Sequence, residues 1–204
     1  AIILKKKNYL FVDGRYTIQA KIESGDFFKI VSYEKLVNCK LFKNITLGID
    51  PSLFTSSQVS NFFLKFNNVK KIETNLIDTI FNKYSINSKK FFSLSKNVVG
   101  EGHNSKIRKV SSYLRKNKSN YIFISAPENV AWLLNIRGYD NPNSPIPNCR
   151  LFLSADKKIF LVAEINKVKK LIQEKKLSKK RLIDPKKFGL FINGLKKGKV
   201  IIDY

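Results

Sequence analysis

Residues 125–149 read SAPENVAWLLNIRGYDNPNSPIPNC and combine an apolar run with a loop rich in turn-forming residues. Pro127 favours the first turn of a helix, and the apolar residues from Val130 onward continue it. The prolines after the helix fix φ and remove backbone donors, which restricts the shape of the loop. This stretch therefore predicts a short buried helix that carries Trp132 in the core and delivers a rigid loop.

Short apolar runs alternate with helical patterns along the rest of the chain, which is typical of an α/β fold. Strands are predicted at residues 9–12, 27–31, 46–49, 69–72, 121–125, 150–154, 159–162, 180–184 and 200–203. Helices are predicted at residues 17–22, 33–41, 56–66, 75–81, 104–116, 127–135, 165–173 and 186–195. Residues 85–97 are polar and lack periodicity, so they are predicted to link two domains.

The order strand, helix, strand, helix, strand occurs twice in the chain. The first copy begins at the strand ending in Val12 and finishes near Ile49, and the second begins at the strand ending in Val162 and finishes near Ile202. The similarity is one of pattern more than of residue identity. It suggests duplication of one α/β unit.

The net charge of +24 comes from 39 basic and 15 acidic residues. Only six of the basic residues are Arg, which is the usual residue for bidentate phosphate and base recognition. The Lys pairs are scattered, and the chain is also rich in Asn, Ile, Phe and Tyr, which share AT-rich codons with Lys. Composition therefore favours a solvated basic surface over a nucleic-acid interface, although a basic patch stays open.

The location of the protein is predicted from what the sequence lacks. No apolar run reaches the roughly 18–20 residues of a membrane span, and Cys39 and Cys149 indicate no disulfide framework. A cytoplasmic location is expected. The chain contains no Met, which predicts that it begins inside a longer protein.

Asp13-Gly14-Arg15-Tyr16 forms a second candidate motif. Its simplest interpretation is a structural turn at a strand end, in which Gly14 takes positive φ, Asp13 bonds back to the backbone and Tyr16 packs. A functional role stays open, because loops at strand ends carry many sites.

Several segments resemble, in order, those of three-domain Xaa-Pro aminopeptidases (aminopeptidase P). They are FVDGRYTIQA at residues 11–20, LGIDP at 47–51, ETNLIDTIF at 73–81, residues 100–114, and the stretch at 126–147. Where many members have Asn-Pro-Val-Phe, this chain has Ser144-Pro145-Ile146-Pro147, which leaves side-chain roles in the loop open.

The resemblance implies an α/β fold made of two consecutive creatinase-type N-terminal domains, each a mixed sheet flanked by helices and both truncated. Residues 1–90 would be the C-terminal part of domain I, and residues 91–204 most of domain II. The family's catalytic "pita-bread" domain, with two divalent metal ions, expected to be manganese, would be absent. The parent enzyme would remove the residue before proline from short peptides by metal-activated hydroxide attack, and it could be a homodimer.

The site residues follow from these interpretations. No catalytic residue and no metal ligand is expected here, because the chain has one histidine, His103, which lies at a predicted helix start. Arg137, Asp140 and Asn143 are the candidates that face substrate, the catalytic domain or a neighbouring subunit. Alternatively, Arg137 and Asp140 form a structural ion pair that closes the loop.

Two other functions stay open from the sequence. One is a non-catalytic basic module that binds nucleic acid or acidic proteins. The other is a paralogue whose C-terminal domain has lost its metal ligands. The sequence beyond Tyr204 would distinguish the second alternative from an enzyme, since an active member needs its series of Asp, His and Glu ligands.

Overall fold

The computed structural model of the chain describes residues 1–37, 39–81, 89–141, 143–195 and 198–202. The chain folds as two compact units, Ala1–Tyr84 and Ser85–Tyr204, which we call unit 1 and unit 2. Each unit contains a mixed sheet with helices, so the predicted α/β class is confirmed. No helix within the described ranges is both long enough and apolar enough to cross a membrane.

Unit 1 holds a three-stranded sheet and a two-stranded sheet. Its strands are β1 Ile2–Ile3, β2 Asn8–Val12, β3 Lys29–Ser32, β4 Thr46–Ile49 and β5 Asn68–Lys71. Its helices are α1 Thr17–Ser24, α2 Ser56–Val59 and α3 Leu76–Ile80, and a π-helical turn, Ser60–Leu64, continues α2. β1 is antiparallel to β2, whereas β2 and β3 are parallel, as are β4 and β5.

The core of unit 1 is built from the segment after β3, from β4 and from the π-helical turn. It consists of the buried residues Leu36, Cys39, Phe42, Leu47, Ile49 and Phe63. Helix α2 begins at Ser56, the first residue of the helix predicted at 56–66, and starts at a capping box in which Thr55 and Gln58 exchange hydrogen bonds.

The helix predicted at residues 33–41 is wrong. Only Tyr33–Leu36 form a short 3-10 turn, and Val37 is already extended. Leu36, Cys39 and Phe42 still reach the core, because an irregular segment turns their side chains inward. Their spacing imitates a helical stripe without being one.

Unit 2 contains one five-stranded sheet and a two-stranded ribbon. Its strands are β6 Phe92–Ser93, β7 Tyr121–Ile124, β8 Ile136–Arg137, β9 Arg150–Ser154, β10 Ile159–Val162, β11 Leu182–Ile183 and β12 Val200–Ile202. Its helices are α4 Lys96–Val99, α5 His103–Lys116, α6 Pro127–Leu134, α7 Ile165–Gln173 and α8 Phe188–Gly194. The large sheet has the order β11-β10-β9-β7-β12, and only β9 is antiparallel to its neighbours.

Alternating residues of β9 supply both faces of this sheet. Leu151 and Leu153 are fully buried in the core formed with α5, α6 and α7. Phe152 points the other way, where its ring lies 5.3 Å from that of Phe191 on α8. The sheet is therefore covered on both faces, which agrees with its mostly apolar strands.

The first part of the predicted internal repeat is confirmed, because its strands are paired in the same directions in both units. In unit 1, β1 and β2 are antiparallel, and α1 connects β2 to the parallel strand β3. In unit 2, β9 and β10 are antiparallel, and α7 connects β10 to the parallel strand β11. The last strands differ, because β4 pairs with β5 whereas β12 pairs with β7.

The linker predicted at residues 85–97 is wrong for residues 89–97, while residues 85–88 lie outside the described part of the chain. Phe91 is fully buried in the core of unit 2, and its backbone N–H donates to the carbonyl of Lys167 at 2.8 Å. Strand β6 then pairs with β8. The polar residues of this segment made it resemble a linker, although tertiary packing makes it part of the core.

Candidate functional site: the loop that follows helix α6

Helix α6 ends in a tight reversal that sets the direction of the candidate loop. Pro127 occupies the first turn as predicted, and the C-terminal cap, Asn135, has left-handed backbone angles of φ 55° and ψ 41°. The chain then enters β8, where Arg137 pairs with Phe92 of β6. Residues 138–149 form the loop, which leads into β9.

A buried lysine from α5 holds the end of α6. Lys106 is 3% exposed, and its Nζ donates at 2.7 Å both to the carbonyl of Trp132 and to Oδ1 of Asn135. The side chain of Asn135 in turn donates to the carbonyl of Glu101 at 2.9 Å. Burial lowers the pKa of the Lys106 ammonium. These bonds give hydrogen-bond partners to the carbonyl of Trp132 and to the side chain of the cap residue Asn135 at the end of the helix.

The prediction that Trp132 lies in the core is wrong, because 56% of its surface is exposed. Val130, Ala131 and Leu133 occupy the buried side of α6, so the turn of the helix directs Trp132 outward. The ammonium of Lys106 lies 4.3 Å from the centre of its ring. This cation–π contact holds the indole at the surface of α6.

Arg137 does not form the predicted ion pair with Asp140. Its Nη1 donates to the carbonyl of Ile136 at 2.8 Å and, more weakly, to that of Ala131 at 3.3 Å. The side chain is half-buried. The guanidinium is therefore oriented by the backbone of α6 and β8, with donors in excess of these two carbonyls.

Asp140 pairs with Lys167 of α7 and not with Arg137. Asp140 Oδ1 and Lys167 Nζ are 2.9 Å apart, and the two side chains are 6% and 9% exposed. The second carboxylate oxygen accepts the backbone N–H of Asn148 at 2.7 Å. Asp140 is thus a structural residue that ties both ends of the loop to α7, and it is not one of the loop's exposed contact groups.

The tip of the loop carries Asn143, the third candidate, which is exposed. A small turn presents it: Asn141 Oδ1 accepts the N–H of Asn143 at 3.2 Å, and the Asn141 carbonyl accepts the N–H of Ser144 at 3.3 Å. Pro142, predicted to stiffen this turn, lies outside the described residues. Asn143 and part of Arg137 therefore lie at the surface, whereas the side chain of Asp140 is buried.

Sequence reasoning missed two residues that shape the loop from inside. A Cβ on Gly138 would lie 2.9 Å from Cδ1 of Phe91 and 3.0 Å from the backbone of Pro147, so only glycine fits here. Cys149 is buried beneath the same loop. Burial, and then the Asp140 carboxylate, raise the pKa of its thiol to about 12, which makes it unreactive near neutral pH.

The Asp13–Tyr16 motif is a structural turn in unit 1, with two corrections. Asp13 Oδ1 accepts the N–H of Arg15 at 2.9 Å, as predicted, and the hydrogen bonds from Arg15 lower the pKa of the Asp13 carboxyl. Gly14, however, does not take positive φ, because the motif is a 3-10 turn that leads into α1. Tyr16 is 52% exposed, and the Arg15 guanidinium lies 5.8 Å from the centre of its ring, so Tyr16 stays at the surface and does not enter the core.

The described residues do not fit a metal centre of their own. No group of three or more His, Cys, Asp or Glu side chains that could hold an ion occurs in ranges 1–37, 39–81, 89–141, 143–195 and 198–202. His103 is the first residue of α5, as the sequence predicts.

The sequence model of the creatinase/prolidase N-terminal domain matches residues 82–203. A probable Xaa-Pro aminopeptidase P of Laccaria bicolor is 26% identical over 176 residues, which covers 79% of this chain and 27% of that protein. Xaa-Pro aminopeptidase 1 of Dictyostelium discoideum is 29% identical over 202 residues, which covers 88% of this chain and 30% of that protein. The chain therefore spans less than a third of the length of these relatives.

A solved structure shares the fold. It is the X-prolyl aminopeptidase of Caenorhabditis elegans, described as a cytosolic enzyme with a di-nuclear active site. The TM-score is 0.76 at 21% sequence identity, and the match covers 93% of this chain and 33% of that one.

Proposed function

The chain belongs to the creatinase/prolidase N-terminal domain family, and from this premise we propose that it is the non-catalytic N-terminal part of a metal-dependent Xaa-Pro aminopeptidase. The relatives that carry this activity in their names are more than three times as long as the matched region. The described residues offer no metal-binding cluster. Hydrolysis would then belong to a catalytic region outside this chain, which would hold two divalent metal ions, manganese in our proposal.

The two units would correspond to the two N-terminal domains of such an enzyme. Residues 1–90 would be the C-terminal part of domain I, and residues 91–204 most of domain II. The repeated topology of β1–β3 and β9–β11 supports the assignment of both segments to one kind of domain.

The loop after α6 is the part of this chain that would meet the rest of the enzyme. The observation that carries this proposal is its rigid support: the buried Asp140–Lys167 pair holds it from below, and Lys106 holds the helix that delivers it. A surface fixed in this way can keep a side chain within the narrow tolerance that substrate contact demands. Arg137 and Asn143 would border the peptide cleft. There they would contact the substrate, the catalytic domain or a neighbouring subunit.

The substrates would be short peptides with proline in the second position, and the enzyme would act in the cytoplasm. Support comes from the names of the relatives and from the cytosolic worm enzyme that shares the fold. A homodimer is compatible with this proposal, because the loop could face a neighbouring subunit.

Replacing Arg137 with Ala in the longer protein should lower kcat/KM for an Xaa-Pro peptide by about 10- to 100-fold, since the loss of a positioning group costs up to two orders of magnitude. Metal content should not change, because no ligand is touched. Peptide hydrolysis, metal analysis and thermal unfolding would be measured on the same preparations.

Arg108→Ala is the matched control, because Arg108 is exposed on α5, which is not part of the loop. It should leave kcat/KM within about twofold of the parent. If Arg137→Ala retains normal turnover and only unfolds at a lower temperature, Arg137 serves the fold through its two carbonyl contacts and the proposed role is wrong.

A further inference from the structure

Three segments that are far apart in the sequence meet at one edge of the unit 2 sheet. They are the end of α5 with the residues before β7, the turn between β9 and β10, and the residues before β12. Together they carry six exposed basic side chains, which we call the basic rim: Arg115, Lys116, Lys118, Lys157, Lys158 and Lys199. Basic residues from three separate parts of the sequence thus form one surface in the fold.

Hydrogen bonds fix the three segments against each other. The N–H of Ala155 donates to the carbonyl of Asn120 at 2.9 Å, and the N–H of Asn120 donates to the carbonyl of Lys199 at 2.9 Å. Arg115 Nη1 closes the arrangement with a 2.6 Å bond to the carbonyl of Ala155. The rim is therefore a defined surface and not a set of independent loops.

The positive charge of the rim is mostly uncompensated. Its one carboxylate, Asp156, is already paired with Lys158 at 2.7 Å. Within the described part of the chain, the ammonium groups of Lys116, Lys118 and Lys157 have no hydrogen-bond or ion-pair partner. Like charges held close together repel each other, so this arrangement does not help the unit to fold.

The helix dipole explains only part of this charge. Arg115 and Lys116 lie in the last turn of α5, where cations are favourable. Lys118 and Lys157 lie outside any helix and have left-handed backbones, with φ of 50° and 67°. Glycine is the residue that such positions favour, so a lysine there costs strain.

We propose that the basic rim binds the phosphodiester backbone of nucleic acid, without reading base sequence. Lys is a point charge that suits phosphates but lacks the fork used for base edges. The residues between the cations, Asn117, Ser119, Asn120 and Ala155, are polar or small and offer no apolar anchor of the kind that protein interfaces need. Backbone binding driven by counterion release needs none. This binding goes beyond the aminopeptidase role and does not depend on it.

The test uses the 204-residue chain and a fluorescent DNA duplex of about 20 base pairs in a salt series from about 50 to 200 mM. Fluorescence anisotropy should give an association constant that falls with a log–log slope of about −3 to −5. In Lys118→Gly/Lys157→Gly the slope should become shallower by about two, with at least roughly tenfold weaker binding at the lowest salt. Thermal stability should be unchanged or higher, because glycine accepts these backbone angles without strain.

Lys186→Gln/Lys187→Gln is the charge-matched control. These exposed lysines follow β11, at the opposite edge of the sheet from the rim. The control should keep the parent slope and affinity. Equal weakening by both double variants would overturn the proposal in favour of a diffuse effect of the +24 charge. Absence of binding at the lowest salt, or stronger binding of polyglutamate than of DNA, would overturn it as well.

Discussion

Lys167→Met should lower the free energy of unfolding of unit 2 by about 3–5 kcal/mol, the cost of breaking a buried ion pair on one side. The substitution leaves the Asp140 carboxylate 6% exposed with no counter-charge. Asp140 keeps the N–H of Asn148, but one neutral donor does not replace an ammonium in an enclosed site. Urea unfolding followed by the fluorescence of Trp132, the only Trp, reports on unit 2 alone.

Lys169→Met is the matched control on the same helix, where Lys169 is exposed. It should change the stability by less than about 0.5 kcal/mol. Adding Asp140→Asn to Lys167→Met should recover a large part of the loss, because the unpaired charge disappears. Equal, small losses in Lys167→Met and Lys169→Met would contradict the structural role of the buried pair.

Phe91→Ala should cost unit 2 about 3–5 kcal/mol, the usual range for removing a buried aromatic ring. Phe91 is fully buried in the main core, and its ring presses against Gly138 at the start of the candidate loop. The cavity would therefore open directly beneath the loop, which has little room to collapse because Pro147 and Cys149 are buried beside it.

Leu190→Ala serves as the control for this change, because Leu190 is 73% exposed on α8. Its loss should stay below about 0.5 kcal/mol in the same urea experiment. A loss below about 1 kcal/mol in Phe91→Ala would mean that the segment is a linker, as the sequence alone predicts.

The regular elements of unit 2 could be predicted because their signals are local. The bounds of β9 and β10 agree with the sequence prediction, and α5 begins one residue earlier than expected. Continuous apolar runs, turn residues and a helical stripe are properties of neighbouring residues. The fold class could be predicted from these local signals, whereas the family was suggested by the resemblance of several motifs along the chain.

The supports of the candidate loop could not be predicted, because they join residues far apart in the chain. Lys167 is 27 positions from Asp140, and Lys106 is 26 positions from Trp132. In a chain with 39 basic residues, no sequence signal marks two lysines as buried. The nearby basic residue, Arg137, was the natural partner for Asp140, and the structure instead satisfies Arg137 with backbone carbonyls.

The exposure of Trp132 could not be predicted for the same reason, because it depends on a residue far away in the chain. A lone Trp in an apolar helix is most often a core residue. Here the helix has room for Val130 and Leu133 on its buried side, and the ammonium of Lys106 gives the indole a contact at the surface. A buried cation supplied by another helix cannot be recognised from the local pattern.

Hydrolysis of an Xaa-Pro peptide by the purified 204-residue chain and by the longer protein, with and without manganese, tests the central claim most directly. The longer protein should release the residue before proline only when metal is present, and the chain alone should release none. Metal-dependent turnover by the chain alone, or metal-loaded longer protein without turnover, would contradict the assignment of this chain as the non-catalytic part of an Xaa-Pro aminopeptidase.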